Sequence, residues 1–167
     1  IIDDEACQEA SKAYVIGRYY TALCDVRKGR VGKEVVGKIE ILMSKLNLTA
    51  ESRKVVPAAL KKSALTDGNP AVAIELNDGR IVTGKTGDLL GASAACLLNA
   101  LKTLAGIDDE VKLLSPSVIE PIQKLKTTQL GSVNPRLHTD EVLIALAICA
   151  TTDPNVKKAL SKASELK

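Results

Sequence analysis

Apolar positions recur at helical spacing through the first third of the chain. Ala6, Ala10, Ala13, Ile16, Tyr20, Leu23 and Val26 predict a helix over residues 3–27, with Asp3, Asp4 and Glu5 at its positive end and Gly29 beyond its close. Val35, Val36, Ile39, Leu42, Met43 and Leu46 form one stripe and predict a second helix over 33–46. Thr49 is the expected cap of a third, reaching about Ala64, which Pro57 should bend or interrupt. After Asp67-Gly68-Asn69-Pro70 the period changes from helical to alternating, so the boundary between two lobes is placed there, 1–68 and 69–167.

In the second lobe, residues 71–76 and 80–85 read as strands joined through Asn77-Asp78-Gly79, a hairpin signal because Gly and Asn or Asp tolerate positive φ. An Ala-rich helix follows over 89–104, ended by Gly106, and 111–114 reads as a short third strand. Ser115-Pro116 should start a helix toward Lys126, Thr139 should cap another through Thr151, and Asp153-Pro154 opens the last. The order implies an α+β protein, a helical lobe followed by a layered α/β lobe with a small mixed sheet. Three strands leave an open edge, so the expectation is self-association or packing against a missing N-terminal part.

Composition narrows the function. Trp and Phe are absent and the only rings are Tyr14, Tyr19 and Tyr20, which removes the stacking surfaces on which single-strand binders and base-flipping enzymes depend. Lys plus Arg number 23 against 20 for Asp plus Glu, too small a surplus for a phosphate-tracking face, so no nucleic-acid partner is expected. No apolar run suits a bilayer, the longest being 142–150, and no membrane partner is expected. Cys7, Cys24, Cys96 and Cys149 form no C-x-x-C pair and read as buried thiols in a reduced cytoplasmic setting. With one His and no C-x-x-C, neither a metal nor a cofactor is expected. The chain opens on Ile1 without an initiator Met, which suggests a piece of something longer.

Two segments carry candidate chemistry. Gly79-Arg80-Ile81-Val82-Thr83-Gly84-Lys85-Thr86 satisfies the phosphate-loop pattern, yet its β-branched centre belongs to the second hairpin strand, not to a cradle. What survives is a weaker anion site where Lys85 and Thr86 lead into a helix start bearing Ser93, or else a plain strand-to-helix loop with a capping serine. The second segment, Asn134 to Glu141, holds Arg136 as an anion clamp and His138, the candidate catalytic base. Its bland reading is a helix entry capped by Thr139 with Asp140 and Glu141 in the first turn.

These stretches, together with Arg18-Tyr19-Tyr20, Asp88-Leu89-Leu90-Gly91-Ala92-Ser93-Ala94 and Ile119-Glu120-Pro121-Ile122-Gln123-Lys124-Leu125, resemble a bacterial family catalogued as domain of unknown function 1846. The resemblance covers most of the chain and implies the C-terminal portion of longer proteins. It also implies a topology similar to the cytidine-deaminase-like fold, but without its zinc site: Gly91-Ala92-Ser93 stands where H-x-E would, and Pro116-Ser117-Val118-Ile119-Glu120 where P-C-x-x-C would. Two helix starts would then converge around Ser93 and Ser117, a setting for an anion.

The expected function is therefore a binding or assembly portion of a larger cytoplasmic protein, with a site for a phosphate-bearing small molecule formed from Lys85, Thr86, Ser93, Ser117, Arg136 and His138. The competing reading is a fragment of an enzyme acting on a phosphorylated small molecule or nucleotide, completed by a missing N-terminal part. The two differ in whether Lys85, Ser93, Arg136 and His138 surround one pocket.

Overall fold

A computed structural model describes residues 3–166. The chain divides into two compact units, Ile1–Pro57 and Ala58–Lys167. In the first, α1 (Asp4–Arg27) starts where the Asp3 carboxylate accepts the Ala6 N–H at 2.9 Å, and it closes at Gly29, whose φ of 69° needs no Cβ relief. α2 (Lys33–Lys45) packs on it through Ile16, Ala22, Ile39 and Met43, with Tyr19 and Tyr20 partly buried at the margin. Most of the α1 stripe stays in solvent. Thr49 caps only a short 3-10 turn, Ala50–Ser52, rather than a long third helix.

α3 (Val55–Ala64) begins later than the sequence suggested. Pro57 therefore falls in its first turn, where a backbone N–H has no intrahelical acceptor, and it neither bends nor interrupts the helix.

The second unit is built on one hairpin. β1 (Ala71–Glu75) and β2 (Ile81–Lys85) pair antiparallel with Ile74 opposite Val82, and Gly79 turns the chain at φ 82°. α4 (Ala92–Ala105) lies across the face that carries Ile74, Leu76, Val82 and Gly84. The contact is closest at Gly84: a Cβ there would lie 2.6 Å from both the Ala92 carbonyl oxygen and the Cys96 Cα, so only a hydrogen fits. The second glycine of the phosphate-loop pattern thus exists for helix-on-strand packing. Asn99 Nδ2 also donates to the Thr83 carbonyl at 2.9 Å, fastening α4 to β2.

The expected third strand does not form, and the sheet of the described residues has two strands. Residues 111–114 run irregularly because Leu113 and Leu114, adjacent in sequence, are both buried in the core, which a strand with one covered face cannot do. The fold is α+β, and the third strand of a deaminase-like sheet is missing from it. α5 (Pro116–Lys124) widens into a π turn, Leu125–Gln129, followed by α6 (Thr139–Cys149), α7 (Pro154–Leu160) and a closing 3-10 turn. Leu101, Ile119, Leu137, Val142, Leu146 and Val156 fill the main core between these helices. No helix among the described residues is long and apolar enough to cross a membrane. Of the four cysteines only Cys96 is fully buried, and burial raises its thiol pKa; Cys7 and Cys24 are exposed, because α1 leaves most of its surface in solvent.

Lys126, on the π turn and 7% exposed, is held by the Arg136 carbonyl at 2.7 Å and by Glu141 Oε2 at 2.8 Å. Burial pushes the Glu141 carboxyl up, but the Lys126 ammonium and the His138 N–H outweigh it and leave the pKa lowered.

Gly84→Ala is expected to lower stability by about 1–3 kcal/mol or more through overpacking, read by denaturant unfolding, while Gly87→Ala, with open space around it, should cost far less. Lys126→Met should cost about 1–3 kcal/mol. Because the folded Glu141 pKa is depressed, its contribution is complete above the unfolded value of about 4.3 and fades as pH falls through the folded value. The stability gap between the protein and Glu141→Gln should therefore shrink in acid and stay constant from pH 6 to 8.

Candidate functional site

The segment after β2 and the segment before α6 are tied together by backbone bonds. Leu137 N–H donates to the Leu89 carbonyl at 3.0 Å, Gly91 N–H donates to the Leu137 carbonyl at 3.2 Å, and Leu90 and Leu137 form a parallel bridge. Gly87 N–H bonds the Leu90 carbonyl at 3.0 Å, rounding the intervening loop. Since Gly91 caps α4 and His138 caps α6, this bridge brings two helix starts side by side.

Side chains reinforce it. Arg136 Nε donates to the Gly87 carbonyl at 2.6 Å, and Gln123 Nε2 of α5 donates to the Asp88 carbonyl at 3.2 Å. Asn134 accepts the Arg136 N–H through Oδ1 at 3.1 Å and places Nδ2 3.2 Å from His138 Nε2. The N-cap of α6 is His138 and not Thr139, because Glu141 reaches back to the His138 N–H at 2.8 Å and is itself held by Lys126. Lys126 was not singled out from sequence, while Asn134 was named only as part of the second segment and Glu141 only as a first-turn acid of α6, where it indeed lies. Lys126 had a signal: with Ile119 and Ile122 it continues the buried stripe of α5 at helical spacing.

The two helix starts differ electrically. α6 already has Asp140 and Glu141 in its first turn. α4 has no acidic residue there and no side-chain cap, so the N–H groups of Ala92, Ser93 and Ala94 lie at the positive end of a 14-residue helix without an intrahelical acceptor. Ser93 is exposed at that end, and the terminal nitrogens of Arg136 bond nothing else among the described residues.

Of the residues singled out from sequence, Ser93, Arg136 and His138 are gathered around this bridge. Thr86, whose N–H extends the hairpin by bonding the Pro70 carbonyl at 2.9 Å, falls on the α4 side of the ladder. Lys85 does not: alternation along β2 sends its side chain to the face opposite Gly84 and α4. Ser117 also stands apart. It bonds Ser115 Oγ at 2.7 Å and lies six residues, about 9 Å along the axis, from the Gln123 that touches the loop.

The description "Domain of unknown function DUF1846, C-terminal" matches residues 51–167, and "Domain of unknown function DUF1846, N-terminal" matches 1–47. The likeness thus extends beyond the C-terminal model to part of the N-terminal one. Over all 167 residues the chain is 55% identical to a UPF0371 protein of Corynebacterium glutamicum, 51% to one of Streptococcus thermophilus and 50% to one of Streptococcus pneumoniae. It spans 34% of each of these relatives, about a third of their length. With both models matched and the C-terminal one covering most of the sequence, the chain belongs to the DUF1846 family.

Proposed function

We propose that this chain is a binding and assembly portion of a larger cytoplasmic protein, and that the start of α4 receives a phosphate-bearing small molecule. The observation that carries the reading is the Leu90–Leu137 bridge, which sets Arg136 and His138 beside an uncapped, acid-free helix start bearing Ser93. A phosphate there would accept from the backbone N–H groups of the first turn, from Ser93 Oγ and from the free guanidinium nitrogens, with Thr86 at the rim. Binding is favoured over catalysis because Lys85 lies on the far side of the hairpin and the side chain within reach of His138 Nε2 is an amide, Asn134, in place of a carboxylate. Four free thiols support a reducing compartment.

The assembly role rests on α6. Leu143, Ile144, Ala147 and Ile148 are exposed on one side, Ile144 at 63% and Ile148 at 66%, with no charged residue among positions 142–150. Two copies can therefore meet on this face without like charges opposing each other. In the parent protein the same surface would be available to the rest of the chain.

Inorganic phosphate at ten times its dissociation constant should stabilise the protein by about 1.4 kcal/mol, or roughly 3–6 °C in Tm. Arg136→Ala should reduce that shift several-fold and Lys85→Ala should leave it intact. Absence of a shift, or one that Arg136→Ala does not diminish, sinks the assignment. Light scattering after size exclusion should show concentration-dependent self-association that Ile144→Glu with Ile148→Glu abolishes; a protein that is monomeric at high concentration contradicts it.

A further inference from the structure

An opening of about 220 Å³ lies between α4, residues 109–114 and the start of α5. Leu89, Leu90, Leu98, Leu113, Leu114 and Ile119 line it together with three charged residues: Asp109 and Lys112 are exposed, and Lys102 faces it although that residue is only 8% exposed. The two buried lysines of this unit are differently provided for. Lys126 has both a carbonyl and a carboxylate within 2.8 Å. Lys102 Nζ donates to the Asp109 carbonyl at 2.8 Å, while the Asp109 carboxylate stands 3.6 Å off and is 91% exposed to water. An ammonium has three donors, and a buried cation with one close neutral acceptor is under-compensated.

We propose that this cleft binds a small apolar monocarboxylate, with the Lys102 ammonium as its counter-ion and the leucine walls around its tail. A carboxylate would complete the ammonium's bonds, and the leucine-rich interior disfavours a doubly charged head, whose desolvation the single buried ammonium cannot offset, Lys112 being exposed. The volume equals that of about seven waters, which suits a ligand of about eight heavy atoms. The inference does not rest on the phosphate site at α4, which uses different side chains.

The test compares 4-methylpentanoate with its uncharged isostere 4-methylpentanamide, with acetate and with inorganic phosphate, by calorimetric titration of the full chain. The carboxylate should bind at least about tenfold tighter than the amide, acetate should bind far more weakly for want of a tail, and phosphate should not compete. Lys102→Met should erase the preference for carboxylate over amide. Equal affinity for carboxylate and amide, no binding of either, or a preference that survives in Lys102→Met would overturn the proposal. If Lys102→Met fails to fold, methyl NMR on the unmodified protein decides. Saturable shifts on Leu90, Leu98, Leu113 and Leu114 support the cleft, and shifts confined elsewhere refute it.

Discussion

Two hydrogen bonds to the backbone of Leu137, one at its N–H and one at its carbonyl, determine how the second unit is put together. They join a loop that follows a strand to a loop that precedes a helix, 46 residues later in the case of Gly91 and Leu137, and Leu137 itself is fully buried. A buried backbone pair of this kind must be satisfied, and each loop supplies what the other lacks. Once they are joined, α4 and α6 start beside each other. Arg136 closes over Gly87, and Lys126 closes from beneath by taking the Arg136 carbonyl and Glu141 together. The hairpin sets the remaining side, since Gly84 lets α4 cross β2 at backbone contact.

Much of this was legible in the sequence, and the parts that were not share a cause. The helices α1, α2 and α4 and the hairpin announced themselves through period and through turn residues, and Gly29, Gly79 and Gly106 sit at positive φ as their positions implied. Residues 111–114 misled because a short stretch with three apolar residues, Val111, Leu113 and Leu114, looks the same whether it pairs in a sheet or plugs a core, and here Leu113 and Leu114 both plug. The α6 cap misled because Thr139 is the better capping residue in isolation, while the structure lets Glu141 reach past it to the His138 N–H. Nothing in the local sequence states that Lys126 is available to hold that carboxylate in place.

The candidate site shows the same division. Sequence picked out Ser93, Arg136 and His138 by residue type, and the fold gathers them through a bridge that no local pattern encodes. It also picked Lys85 by motif, but strand alternation, which follows from Gly84 facing α4, turns Lys85 away. The buried lysines were readable only in outline: Lys102 continues Leu98, Leu101 and Ala105 along one face of α4, as Lys126 continues Ile119 and Ile122. A cation on an apolar stripe marks a position where the fold must supply an acceptor, and the two sites differ in how completely it does.

The most direct check of the central claim is a phosphate titration followed on backbone amide resonances. If the bridged helix starts form one site, the amides of Ser93, Ala94, Arg136 and His138 should shift together along one saturation curve while those around Lys85 and Ser117 stay put. Shifts at Lys85 or Ser117 without movement at Ser93 and Arg136, or separate saturation curves for the two segments, would contradict it.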